Sequence, residues 1–296
     1  MNSAYILLII SAVIWGGVFH VIKYPLAVAP PFVLLIARFT LTAIILLPFL
    51  IKDGNYRLVF SRRNFASVLL LSIVGICGYN IFFTYGMQLS DAATGSLIIA
   101  ANPVMTTLLA RLWKKEQISA VRWGGILLGF VGLAYIVFQG RFDNALRLQL
   151  GPGNLVLLGA PLVWAIYSIE SREVMQRVPS TVLTSALVLL SLPPQAAVAA
   201  YQIEGYAWAT SSPFWLGVAY LGILATGVSY LAWNEAIKRI GAARSSVFVN
   251  LIPVTSLAIA KVLGQPLYAH HYLGGSIVVL GVILASQGGA KKREIQ

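Results

Sequence analysis

Residues 66–86 read ASVLLLSIVGICGYNIFFTYG and residues 216–236 read LGVAYLGILATGVSYLAWNEA, and a constant shift of 150 lays one stretch over the other. Leu71 falls on Leu221, Ile73 on Ile223, Asn80 on Tyr230 and Phe83 on Trp233. The register continues to residues 140 and 290: Ala92 falls on Ala242, Pro103 on Pro253, Ala110 on Ala260 and Arg111 on Lys261. Gly124-Gly125 falls on Gly274-Gly275, and upstream Trp15 falls on Trp164 with nearly the same shift. The chain doubles one unit, with the first copy over residues 1–146 and the second over 147–296.

Each copy carries five long apolar stretches. The 296 residues are 58% hydrophobic and only 10% charged, with a mean hydropathy of +0.82. A soluble domain is about a quarter charged. A hydrocarbon core of about 30 Å takes roughly 20 apolar residues per helix. The ten stretches are 4–22, 32–51, 65–86, 92–112, 122–138, 153–170, 181–203, 214–235, 243–262 and 271–287. Short loops make up the remainder. A membrane β-barrel would alternate apolar and polar residues in segments of about ten, whereas Ile6-Leu7-Leu8-Ile9-Ile10 is apolar on every face. Helices satisfy their own backbone polar groups in lipid. The expected fold is an all-α integral membrane protein of ten transmembrane helices. Five crossings per copy turn the second copy upside down relative to the first. Inverted repeats of this kind mark alternating-access carriers, with the site near the midplane.

The net charge of +12 raises the question of nucleic acid, and its distribution answers it. With the N-terminus in the cytoplasm, the interior loops take Lys52, Arg57, Arg62 and Arg63, then Arg111, Lys114, Lys115 and Arg122. They also take Arg172, Arg177, Lys238, Arg239 and Arg244, and the tail takes Lys291, Lys292 and Arg293. Only Lys23, Arg141, Arg147 and Lys261 lie toward the exterior, and Arg38 lies within a helix. The positive-inside rule then places both termini in the cytoplasm. These residues meet anionic lipid heads and form no nucleic-acid patch. The first helix carries no leading positive charge and has Pro30 just after a cleavage-like Ala27-Val28-Ala29, so it reads as a retained span. Cys77 is the only cysteine, so no intrachain disulfide exists.

Residues 14–23 read IWGGVFHVIK, Pro30-Pro31 follows, and Ala37-Arg38-Phe39 stands in the second stretch. Residues 91–96 read DAATGS; then come Asn102-Pro103, Glu116 and Gly124-Gly125. In this order and spacing the chain resembles the EamA-type carriers of the drug/metabolite transporter superfamily, over nearly its whole length. The resemblance implies ten helices in two inverted halves and export of small metabolites. Within the family it is most similar to bacterial exporters of aromatic and other neutral amino acids, which implies the bacterial inner membrane. Two departures stand out. Pro266 occupies the position matching Glu116, and Arg172 stands near where Lys23 maps, so the two gates are not strictly symmetric.

Polar and aromatic residues at membrane depth are the candidates for substrate contact, because lipid penalises unpaired polar groups. Helical spacing puts Tyr79, Asn80 and Phe83 on one face, and Tyr230, Trp233 and Asn234 on another. Trp164, Tyr167 and Ser168 form a third stripe, and Ser11, Trp15 and Phe19 a fourth. The first, third, sixth and eighth helices are therefore expected to line one central cavity, the competing reading being interhelical packing. Trp208 and Trp215 sit at helix ends, where interfacial anchoring is the expected role. His20 is a further substrate-contact candidate, set against a hydrogen-bonded structural role. Pro103 and Pro253 are symmetry mates and candidate hinges, set against fixed kinks. The glycines of the fifth and tenth helices suit close packing, bracing each half rather than touching substrate.

No cluster has metal-ligand spacing, and no cofactor is implied. All nine carboxylates fall in loops or near helix ends. Proton-coupled carriers relay through buried acids or histidines, so transport down the substrate's own gradient is expected. An aromatic, uncharged cavity would select flat or apolar solutes by stacking or cation–π attraction. The leading expectation is a carrier exporting neutral, foremost aromatic, amino acids. The alternative within this fold is a multidrug carrier for aromatic cations. A lipid-processing enzyme would need a nucleophile, base or metal cluster that has no counterpart here, and a channel would need a continuous polar pore. The expected partners are a small-molecule substrate and membrane lipid; oligomeric state has no signature.

Overall fold

The computed structural model describes residues 3–89, 98–99, 101–141, 143, 152–201 and 207–287. Residues 91–96, Arg147, Glu204, Lys291, Lys292, Arg293 and Glu294 lie outside the described residues, as do the side chains of Lys23 and Asp53. The helices are α1 (Ser3–Leu26), α2 (Pro31–Ile51), α3 (Phe65–Gly86) and α4, described from Asn102 to Trp113. They continue as α5 (Ala120–Val137), α6 (Pro152–Val174), α7 (Ser180–Ala200), α8 (Ser212–Ile240), α9 (Ala242–Val262) and α10 (Ala269–Gln287). Nine of these are long and apolar enough to cross a membrane among the described residues. The tenth, α4, is described over only half its expected span. No strand occurs among the described residues.

Helix starts follow local chemistry. Pro31 occupies the first turn of α2, where its missing N–H costs nothing. Ser119 and Ser211 cap α5 and α8 by accepting from the Arg122 and Phe214 amides. Gly241 alone separates α8 from α9, and its φ of +88° is a conformation that favours glycine. Several helices outrun their apolar stretches. The eighth was expected at 214–235 and runs to Ile240; the sixth was expected to end at 170 and runs to Val174. Glu170, Arg172, Glu173, Lys238 and Arg239 end a hydropathy window. They do not end a helix, whose backbone bonds continue past the apolar core.

Apolar side chains cover the outside, with Ile44, Leu70, Leu112 and Leu216 being 64, 62, 67 and 72% exposed. The interior holds small polar residues that donate across helices. Thr42 Oγ1 donates to the Gly222 carbonyl at 2.7 Å and Ser11 Oγ to the Ser229 carbonyl at 3.2 Å. Bonds of this kind replace the hydrophobic drive that lipid removes.

α5 and α10 touch backbone to backbone. A Cβ on Gly125 would stand 2.4 Å from the Ala285 amide, and one on Gly132 would stand 2.8 Å from the Gly274 carbonyl. Gly281 would meet the Gly129 amide at 2.5 Å. Gly124 and Gly275 face open space. The packed glycines are thus Gly125 with Gly281, and Gly132 with Gly274. These two contacts exchange under a shift of 149, the same shift that relates Trp15 to Trp164. The doublet Gly124-Gly125 therefore does not match Gly274-Gly275 residue for residue: in the packed pair the register slips by one.

Both α3 and α8 contain a wide turn that sequence reading treated as ordinary helix. Leu71–Gly78 and Tyr220–Val228 are π-helical, at corresponding places in the two repeats. The second π segment is one residue longer than the first. Wide turns of this kind are frequent at functional sites.

Candidate functional site

Trp164 is the hub of the molecule's centre. Its ring lies 5.8 Å from Trp15, 4.9 Å from Tyr79, 5.4 Å from Tyr167, 6.1 Å from Tyr230 and 5.9 Å from Trp233. Trp15 reaches this cluster because α1 sits close to its neighbours. A Cβ on Gly16 would fall 2.2 Å from Thr255 Oγ1, and one on Gly17 would fall 2.1 Å from the Tyr220 hydroxyl. The Trp15 indole N–H then donates to the Ala225 carbonyl at 2.9 Å, within the π segment of α8. Thr226 Oγ1 satisfies another carbonyl of that segment, Leu221, at 2.9 Å. The wide turn is thus tied to the cluster it faces.

Above the hub is a cavity of about 120 Å³. A single water needs roughly 10–15 Å³ on that measure, so the space accommodates a solute. Of the candidate contact residues, Trp15, Tyr79, Asn80, Phe83, Trp164 and Tyr230 line it. Tyr79 and Phe83 stack at 5.8 Å with 13° between their rings. Pro253 lines it too, beside the 3-10 turn Val247–Asn250 that interrupts α9. Pro103 does not; it occupies the first turn of the described part of α4, and its neighbour Asn102 reaches the cavity.

Five expected contact residues are placed behind the lining. Trp233, 1% exposed, lies under Trp15 at 5.1 Å. The Tyr167 hydroxyl donates to Asn234 Oδ1 at 2.9 Å, and Asn234 Nδ2 donates to Thr184 Oγ1 at 2.9 Å. Ser168 is 1% exposed beside them. These residues close the floor of the cavity by joining α6, α7 and α8. His20 Nε2 is spent on Ser256, 3.0 Å from its carbonyl and 3.1 Å from its hydroxyl, a tie between α1 and α9.

The expectation of an uncharged cavity is overturned. Arg38 of α2 lines it, with Nη2 donating to Asn80 Oδ1. The sequence signal was available, since an ionisable residue inside a span is a functional candidate by default. In the sequence Arg38 enters the topology count and the family motif, without a role in the cavity. The expectation that four helices line the cavity is also too narrow. Asn102 of α4, Leu133 of α5, and Val249 and Asn250 of α9 contribute. Val249 and Asn250 stand in the 3-10 turn of α9, Asn102 opens the described part of α4, and Leu133 reaches in from the unbroken α5.

Beyond the floor, where α4 and α6 end, charges cross between the repeats. Lys114 Nζ lies 2.8 Å from Glu170 and 2.7 Å from Glu173. Arg172 Nη1 lies 3.5 Å from Glu116 Oε1. Arg239 Nε pairs with Glu235 at 2.7 Å, and Arg239 Nη1 donates to Ser3 Oγ at 2.8 Å. The position matching Glu116 at the opposite end holds Pro266, so that pair has no counterpart there.

Two five-helix repeats around a central cavity, closed below by aromatics and ion pairs, define a multi-pass membrane transporter. The chain belongs to the EamA-like transporter family, whose model matches residues 2–138 and again residues 151–287. It is 29% identical over 294 residues to the uncharacterised transporter YyaM of Bacillus subtilis (strain 168), covering 96% of this chain and 93% of that one. It is 24% identical over 295 residues to a protein of Streptantibioticus cattleyicolor named "Probable terminal-alkyne amino-acid exporter", covering 97% and 94%. It is 25% identical over 192 residues to the aromatic amino acid exporter YddG of Ancylobacter novellus, covering 65% and 66%. One crystal structure superposes with a TM-score of 0.81 at 23% identity, over 97% of each chain, which shows the shared fold.

Proposed function

We propose that this protein is a secondary carrier that exports small neutral amino acids, foremost aromatic ones, by alternating access. The observation that carries the reading is the ring-walled cavity. Trp15, Trp164, Tyr79, Phe83 and Tyr230 offer faces and edges to a planar side chain, and aromatic pairs gain about 0.5–1.5 kcal/mol beyond simple burial. Two relatives named as amino-acid exporters point the same way. In this reading the carrier sits in the bacterial inner membrane with both termini cytoplasmic, an orientation that the placement of its basic residues supports. In that orientation the ion-paired end faces the cytoplasm, and the described conformation is closed on that side. Breaks beside Pro103 and Pro253 serve as hinges.

Counterflow in proteoliposomes tests the reading. Unlabelled phenylalanine inside the vesicles should accelerate entry of labelled phenylalanine, because a returning loaded carrier is faster than an empty one. Entry indifferent to the internal pool would make the protein a channel. A panel in which aromatic amino acids are not carried would reject the substrate class. No carboxylate lines the cavity among the described residues, so an imposed pH gradient should not drive accumulation above equilibrium. Uphill accumulation would overturn that expectation.

The ion pairs set a second expectation. Their side chains are 26 to 56% exposed for the Lys114 pairs, so each contributes at most about 1 kcal/mol. Lys114→Gln removes two of them together. In a Cys77→Ala background, a Ser168→Cys reporter should then react with a cytoplasmic thiol reagent roughly fivefold faster, the factor that about 1 kcal/mol implies. Unchanged reactivity would show that these pairs do not hold the cytoplasmic side shut.

A further inference from the structure

The charge in the cavity wall has no counter-charge. All four close ion pairs among the described residues lie at the end where α4, α6 and α8 terminate. Arg38 belongs to none of them. It is the eighth residue of α2, about 10 Å along the helix at 1.5 Å per residue. Its Nη2 donates to Asn80 and its Nε has no partner. A guanidinium stays protonated in proteins, so a full positive charge faces the cavity against neutral dipoles only. Arg38 is half-buried in the cavity wall, and drawing a charge away from water without a partner is unfavourable. That arrangement is explained if the partner arrives with the cargo.

The same cavity has spare acceptors. Asn102 and Asn250 are 2% and 1% exposed, and the amide oxygen of each has no partner among the described residues. The lining thus holds an unspent donor and unspent acceptors together with the rings of Trp15, Trp164 and Tyr79. This set complements a carboxylate, an ammonium and a ring in one molecule. It opposes an aromatic cation without a carboxylate, whose charge Arg38 would repel within the same cavity.

We infer that Arg38 is the carboxylate anchor of this carrier, so that a carboxylate is an obligatory feature of its cargo, with Asn102 and Asn250 receiving the ammonium. The planar guanidinium takes a carboxylate through two parallel bonds, which a lysine cannot reproduce. The inference rests on the proposed amino-acid export but fails separately from it.

The test begins with unmodified protein in proteoliposomes, by competition against labelled phenylalanine. L-Phenylalanine and 3-phenylpropanoate, which share the carboxylate, should compete. Phenylalaninamide and phenethylamine, which lack it, should be weaker by roughly ten- to a hundredfold, the scale of lost bonds to a charged group. Equal competition by phenylalaninamide would overturn the anchor without any mutation. Arg38→Gln should bring the four competitors to similar potency, and Arg38→Lys should restore part of the preference. Size-exclusion profiles of both variants establish that they fold. Arg38→Gln protein that still prefers carboxylates would also reject the inference. If no aromatic compound competes but other amino acids do in a carboxylate-dependent way, the anchor stands and the aromatic cargo falls.

Discussion

Gly281→Val is expected to abolish production of a monodisperse protein, while Gly124→Ala leaves it intact. The difference lies in what a side chain would meet. At Gly281 the nearest atoms to an added Cβ are the Gly129 amide at 2.5 Å, the Gly125 carbonyl at 2.7 Å and Gly129 Cα at 2.8 Å. All three are backbone, so no rotamer change relieves the clash; α5 and α10 must separate. Overpacking a core typically costs about 1–3 kcal/mol when side chains can give way, and here they cannot. Separating the helices would also open the symmetric contact between Gly132 and Gly274. Gly124 has nothing within 4 Å, and alanine gains up to about 1 kcal/mol of helix propensity over glycine. Fluorescence-detected size exclusion with a thermal ramp measures both. A Gly281→Val peak like the wild type would show that the two helices are not held together by this contact.

These two glycines also show where sequence reading reaches and where it stops. A doubled sequence with apolar stretches of 20 residues fixes a helical membrane fold, because lipid leaves the backbone no alternative to self-satisfied helices. Aromatic stripes at helical spacing picked out Trp15, Tyr79, Asn80, Phe83, Trp164 and Tyr230, all of which reach the cavity. What spacing does not carry is depth. Trp233 and Asn234 share the face of Tyr230, yet they lie further along α8, below the cavity, where they pack and bond to the floor. Nor does a constant register carry the π turns, which differ in length by one residue between the repeats. Tyr230 matches Asn80 at a shift of 150, whereas the packed glycines obey a shift shorter by one. The glycine doublets looked equivalent as strings, and only their neighbours separate the packed member from the open one.

Arg38 is legible in the sequence by its depth. As one cation among 21 in a topology count it carried no information about the site. Read by depth, it was the one basic residue well within a span. The inward turn of Asn102, Val249 and Asn250 was not legible in the same way. It comes from the breaks ahead of Pro103 and Pro253, and a proline in a sequence announces a break without giving the direction in which the chain leaves it.

Trp164→Ala should lower the exchange rate by about tenfold or more while the protein still inserts and elutes as wild type; a core Trp→Ala change costs about 3–5 kcal/mol in soluble proteins. The indole touches five other rings, drawn from α1, α3, α6 and α8. It is the one side chain on which both repeats and both π-bearing helices converge. Phenylalanine should restore most of the activity at this position. The Trp164 indole N–H has no partner among the described residues, so Trp164→Phe deletes no hydrogen bond. The symmetry mate gives the contrast. Trp15→Phe removes a donor from the Ala225 carbonyl in the π segment of α8, and losing a hydrogen bond of this kind costs about 0.5–1.5 kcal/mol. Trp15→Phe should therefore be the more damaging of the two conservative changes, although the side chains are pseudo-equivalent. Counterflow rates normalised to reconstituted protein decide the matter. Wild-type exchange in Trp164→Ala would reduce the aromatic hub to packing and remove the main support for a ring-bearing substrate. Equal rates in Trp15→Phe and Trp164→Phe would mean that the π-segment carbonyl finds another donor, and that the link between Trp15 and α8 does not position the cavity wall.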